Sequence, residues 1–139
     1  VIESEQTFLL LCTNGALQTR IFQHHRLWHL AEKQIIIPKK EQHSIHKFIY
    51  QIKREGMNET AISFLDNLLK KYKTNSFIAG CTEIHLITKY LIRQNQQNYD
   101  VIDPLLTIAK DLKKFIESHL ESSPYNTIRY KKSGINLFF

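Results

Sequence analysis

The sequence predicts an α/β domain: an open, doubly wound, four-stranded parallel sheet flanked by helices. Three observations predict it. Four short apolar runs, TFLLLC, QIIIP, SFIAG and YDVI, recur along the chain with helical patterns between them. The runs are nearly continuous in apolar residues rather than alternating, as in strands buried on both faces. Strands and helices follow one another as β-α-β-α-α-β-α-β-α, an order that calls for right-handed crossovers between parallel neighbours.

Each element has its own grounds. Residues 7–12 form the first strand, ended by Thr13-Asn14-Gly15. Leu17, Ile21, Trp28 and Ala31 fall at helical spacing, so a helix is expected over 16–31. Pro38 stops the second strand. Ile45, Phe48, Ile49 and Ile52 follow the i, i+3, i+4, i+7 rule, predicting a helix over 41–55 with Gly56 as its stop. Asn58 is positioned to cap a further helix with the stripe Ile62, Leu65, Leu69 and Tyr72. After SFIAG, the residues Ile84, Ile87 and Leu91 mark a helix beginning near Glu83. Asp103-Pro104 reads as an N-cap followed by proline at the first helical position. Leu105, Ile108, Ala109, Leu112, Phe115, Ile116 and Leu120 give the longest stripe. Residues 1–121 are read as one domain and 122–139 as an irregular basic tail.

The 139 residues suffice for one domain with a core, and the 42% hydrophobic content is ordinary for a globular chain. No apolar run approaches the roughly 18–20 residues of a membrane span. The start, VIESEQ, has neither an initiator methionine nor the basic and apolar regions of a signal peptide, so a piece of a longer protein is expected. The net charge of +6 comes from scattered lysine pairs. These read as solvated surface rather than a nucleic-acid face, and they suit an anionic small molecule. Two cysteines are too few for a disulfide framework and fit a reducing cytoplasm. His25 and His29 are four apart, but no third ligand accompanies them, so no metal site is expected.

Open α/β sheets bind ligands outside the carboxyl ends of their strands. Cys12 and Cys81 both stand there. Cys81 is the stronger candidate. It precedes a helix whose first N–H groups favour a thiolate. Gly80 before it is expected to leave room for a ligand. Thr82 offers a hydroxyl and a backbone donor, and Glu83 can hydrogen-bond in the site or shuttle a proton. Such a group suits a nucleophile or a carbon-acid base.

GCTEIHL (80–86) resembles the second cysteine motif of the aspartate/glutamate racemase family. FLLLCTNGALQTRIFQ resembles the strand, threonine-containing turn and helix that open the family's second domain. IIIPKKEQHSIHKFIYQIKREG resembles the next segment, and VIDP the strand-ending aspartate before the last helix. The resemblance covers residues 7–120. It implies a cofactor-independent and metal-independent amino-acid racemase acting on aspartate or glutamate. In that family two domains each supply one cysteine, and the two thiols transfer protons on opposite faces of the α-carbon. It implies that Cys81 is one acid/base, with Glu83 beside it. Thr82, Thr13 and Asn14 would meet the α-carboxylate, and Lys53 the distal carboxylate. The partners implied are the amino acid and a missing N-terminal racemase domain, without which this chain would racemise little. A homodimer is left open, and neither nucleic acid nor membrane is expected.

The sequence departs from the family in three places. The first-domain Cys-Asn-Thr motif is missing, Ala16 replaces a threonine of the opening turn, and His85 stands where proline is frequent. Two alternatives stay open: a catalytically lapsed dicarboxylate-binding module, and a related isomerase or decarboxylase acting on another carbon acid, like the family's maleate isomerase and arylmalonate decarboxylase relatives.

Overall fold

Leu9, Leu10 and Leu11 are all buried, as a central strand covered on both faces requires. In the computed structural model, which describes residues 6–122, they belong to β1 (Phe8–Leu11). With β2 (Ile35–Ile36), β3 (Ser76–Ala79) and β4 (Asp100–Ile102) this strand forms a four-stranded sheet in the order β2-β1-β3-β4. Every pairing is parallel, with Leu9 opposite both Ile36 and Phe77, and Ile78 opposite Ile102. The α/β class with a parallel four-stranded sheet is therefore as the apolar runs predict.

The strongly periodic helices form where expected. These are α3 (Gln42–Glu55), α4 (Glu59–Lys71), α5 (Thr82–Arg93) and α6 (Pro104–Ser122) in the numbering that follows. Gly56 ends α3 with φ at 74°, a left-handed value that a side chain would strain. The Asn58 side chain caps α4 by accepting the Ala61 N–H at 2.9 Å. Glu41, just before α3, accepts hydrogen bonds from Lys71 and Tyr72 at the end of α4, closing the pair of helices.

The helix expected over 16–31 does not form as one element. Two short pieces, α1 (Asn14–Gln18) and α2 (Trp28–Ala31), flank a run of turns, and neither buries a residue. The cause lies in the pattern. Between Ile21 and Trp28 the stripe is interrupted by His24 and His25, so no continuous apolar face exists to pack. Ile21 and Leu30 are accordingly exposed, and Arg20 takes a positive φ just after α1.

One face of the sheet carries the core. Leu9, Leu11, Phe77 and Ala79 meet Ile45, Ile49 and Ile52 of α3, Leu65 and Leu69 of α4, and Ile84, Ile87 and Leu91 of α5. Each such side chain contributes roughly 1.5–3 kcal/mol by leaving water. The chain divides into a unit ending at Leu106 and a second beginning at Thr107. In the second unit Ile108, Leu112, Phe115 and Ile116 of the α6 stripe are exposed. The side chain of Leu120 and the tail expected beyond residue 122 lie outside the described residues.

Candidate functional site

From β1 the chain runs to β2, and from β3 it runs to β4, in opposite directions along the sheet. The reversal makes the gap between the carboxyl ends of β1 and β3 a topological switch point, the usual ligand position in such sheets. Its two lips are Cys12-Thr13-Asn14 and Gly80-Cys81-Thr82. These motifs, read from the sequence as separate, therefore stand at neighbouring strand ends along one edge of the sheet.

Gly80 has a different task from the one expected. A Cβ at this position would lie 2.7 Å from the Leu11 carbonyl oxygen and 2.8 Å from the Cys12 Cβ. The Gly80 N–H also donates to that carbonyl at 2.8 Å. The missing side chain lets β1 approach β3; it does not clear space for a ligand.

Cys81 is the N-cap residue of α5, extended at φ −155° and ψ 166°, and half-buried. Its thiol makes no capping hydrogen bond. The expectation that the helix start favours a thiolate is met only in part. Burial pushes the thiol up, the N–H groups of Ile84 and Glu83 pull it down, and the Glu83 carboxylate adds to the rise. The balance is upward, so Cys81 rests as a thiol near neutrality. Glu83 behaves oppositely. Burial raises its carboxyl, but its own N–H, the Thr82 hydroxyl, the Cys81 thiol and the charge of Lys53 together hold it below the usual range. Glu83 is thus an anion beside a neutral thiol. The Thr82 hydroxyl donates to Glu83 Oε2 at 3.0 Å. Lys53 is exposed, with Nζ 5.9 Å from the centre of the Tyr50 ring.

On the β1 lip, Thr13 Oγ1 accepts the Ala16 N–H at 3.3 Å. That bond uses a lone pair and leaves the hydroxyl hydrogen for another partner. A helix of five residues gives α1 little dipole with which to attract an anion. Two residues of α3, Gln42 and His46, hold this lip. Gln42 Nε2 donates to the Cys12 carbonyl at 2.9 Å and to Asn14 Oδ1 at 3.2 Å. His46 Nδ1 accepts the Asn14 N–H at 3.3 Å, and its ring lies 4.8 Å from that of Tyr50. A signal for them existed. Gln42, His46, Tyr50 and Lys53 are spaced four, four and three apart, a polar row beside the apolar stripe of α3.

Cys12 does not pair with Cys81. Side chains alternate along a strand, so Leu10 and Cys12 leave the face opposite Leu9 and Leu11. The short distances from a Gly80 Cβ to Cys12 Cβ and to Leu10 Cδ1 (3.1 Å) show the same direction. Cys81 instead packs against the core on the α3–α5 face. The sheet edge stands between the two thiols, and neither a disulfide nor attack on two sides of one small carbon centre suits them. Cys12 is fully buried, and burial, with a smaller effect of Cys81, pushes its thiol to about 12.

A second cluster lies along the same edge, one strand over. Asp103 follows β4 and is 3% exposed. Its Oδ1 accepts the Leu106 N–H at 3.1 Å, as the N-cap reading of Asp103-Pro104 requires. Its Oδ2 lies 2.8 Å from His85 Nδ1. Burial alone would raise this carboxyl, but Thr88, His85 and the Leu106 N–H together hold it below the usual range.

No family model matches this chain, and no curated protein matches it. The site therefore stands on its own geometry. Among the described residues, no group of three or more histidine, cysteine, aspartate or glutamate side chains is placed to hold a metal ion, and no helix is long and apolar enough to cross a membrane. At the two strand ends of the switch point stand a thiol, a carboxylate, two threonines and an asparagine, with the charge of Lys53 acting on the carboxylate. This set can bind a small anion and move a proton.

Proposed function

We propose that this chain is one half of a cofactor-independent amino-acid racemase for aspartate or glutamate, with Cys81 as one of the two proton-transfer groups. The reading is supported by the placement of Thr13 and Asn14 after β1, and of Cys81, Thr82 and Glu83 after β3, at the two strand ends of one switch point, with the charge of Lys53 acting on Glu83. The α-proton of an amino acid is weakly acidic. Its removal needs a base close to the carbon and fixed partners for the charge that develops. Cys81 supplies the sulfur. Thr13, through its free hydroxyl hydrogen, and Thr82 and Asn14, through their polar groups, suit the α-carboxylate, and Lys53 suits the distal one. Because Cys12 leaves the other face, the second thiol belongs to a partner domain, which the resemblance places N-terminal to this one. A cytoplasmic setting accords with two unbridged cysteines.

The test is α-proton exchange in D₂O, followed by NMR with each enantiomer of aspartate and glutamate. The sample is the intact protein that carries this chain, and Cys81→Ser is the control. Exchange that disappears in the variant is the expected result. No exchange with any of the four amino acids overturns the reading. Binding without exchange, seen by calorimetry, would favour a lapsed dicarboxylate-binding module, which Ala16 in the opening turn also motivates. Exchange confined to other carbon acids would favour the isomerase or decarboxylase alternative. Lys53→Ala should remove the preference for a dicarboxylate.

A further inference from the structure

Asn14 follows β1, is partly exposed, and can meet a ligand with either end of its carboxamide. One end donates and the other accepts, so the orientation decides which charge it suits. A neighbour on α3 fixes that orientation. The Cys12 carbonyl can only accept, and Gln42 turns its Nε2 toward it at 2.9 Å. The second hydrogen of the same Nε2 goes to Asn14 at 3.2 Å, where only Oδ1 can receive it. Nδ2 of Asn14 is left on the other side of the carboxamide with both hydrogens, and no group among the described residues accepts from it.

Two further observations bear on this arrangement. The backbone donors beside it are spent: the Asn14 N–H goes to His46 Nδ1 and the Ala16 N–H to Thr13 Oγ1, each at 3.3 Å. An anion arriving here therefore depends on side-chain donors. Gln42 Oε1, in turn, is buried without a hydrogen-bond partner among the described residues. A buried acceptor that lacks a donor costs the fold stability. Gln42 thus serves through its donor end alone, and packing by itself gives no reason for an amide at this position. We infer that Gln42 is a positioning residue for carboxylate binding: it turns the Asn14 carboxamide so that Nδ2, and not Oδ1, is offered to a carboxylate of the substrate. The inference rests on the racemase reading for the identity of that substrate.

The test is a double-mutant cycle in the intact protein, read by α-proton exchange of aspartate and glutamate in D₂O. Gln42→Leu frees the carboxamide, and Asn14→Ala removes it. Each should raise KM on the order of tenfold, the loss of one hydrogen bond to a charged group, with a smaller change in kcat. The double variant should be no worse than Asn14→Ala, because Gln42 acts through Asn14. Additive losses, an unchanged KM in either single variant, or a loss confined to kcat overturns the inference and leaves the racemase reading standing. If the unaltered protein exchanges neither amino acid, the racemase reading falls. The same cycle is then read by calorimetry as the dissociation constant for succinate, and absent binding or additive losses there overturns the inference as well. A further measurement needs no variant and no ligand. In nitrogen-15 spectra the Nδ2 hydrogens of Asn14 should exchange with water faster than the Nε2 hydrogens of Gln42, and the reverse order would also overturn the inference.

Discussion

The Gly80 N–H donates to the carbonyl oxygen of Leu11 at 2.8 Å, and a Cβ on Gly80 would come within 2.7 Å of that same oxygen. The two strands that form the switch point are thus joined where only glycine fits. Gly80→Ala must push β1 and β3 apart or bend them, because the atoms it meets are a backbone oxygen and the first carbon of Cys12. We expect a loss of about 1–3 kcal/mol, the usual range for forcing a methyl group into a packed site. Urea denaturation followed by circular dichroism measures it. A midpoint equal to that of the unaltered protein would mean that the strands separate freely.

Asp103→Ala removes the cap of α6 and the partner of His85 together. The expected loss is about 2 kcal/mol, at the upper end for an N-cap residue because the carboxylate is buried. Asp103→Asn should lose less, since its side-chain oxygen can still accept the Leu106 N–H. Thermal denaturation of the two variants side by side gives the order, and equal losses would argue that the cap contributes nothing.

The Asp103 carboxyl also has a signed pH effect. Its folded value lies below the unfolded one, so its contribution is complete above about pH 4. It is lost as pH falls through the lower folded value. The stability gap between the unaltered protein and Asp103→Asn should therefore be constant from neutrality down to about pH 4 and narrow below it. Denaturation midpoints measured across this range check the shape, and a gap that widens on acidification would contradict it.

Thiol chemistry should separate the two cysteines. Cys81 is half-buried and its thiol is raised, by burial first and by Glu83 after it, so labelling by iodoacetamide should be slow at pH 7 and climb steadily toward pH 9 and beyond. Glu83→Gln removes the neighbouring negative charge and should speed labelling several-fold at pH 8. Cys12, fully buried and raised to about 12, should label only in denaturant. Peptide mass analysis assigns the sites. Rapid native labelling at Cys12 would refute the strand-end burial described above.

Much of the fold was legible in the chain. Asn58 capping α4, Gly56 ending α3 and Asp103-Pro104 starting α6 are local events whose chemistry is written in two or three adjacent residues. The long stripes of α3, α4 and α5 carry their own period. The stretch 16–31 departs from its pattern because its four apolar residues at helical spacing span a gap at His24 and His25, and the two short helices that form there bury no residue. Of the site, Cys81 and its two followers were visible as a motif. Gln42 and His46 show in the sequence only as part of the polar row of α3; their task does not, because their partners, Asn14 and Cys12, lie about thirty residues earlier.

The sequence by itself determined the four strands and the helices α3 to α6, and that Cys12 and Cys81 would both reach the carboxyl edge. Alternation, periodicity and capping act over a few residues, and a single chain displays them. Tertiary structure alone decided that the two thiols leave opposite faces, that Gly80 serves the β1–β3 approach, and that His85 finds Asp103. These depend on register between strands and on burial. Both arise only when distant segments pack together, and burial in turn sets which groups keep their protons.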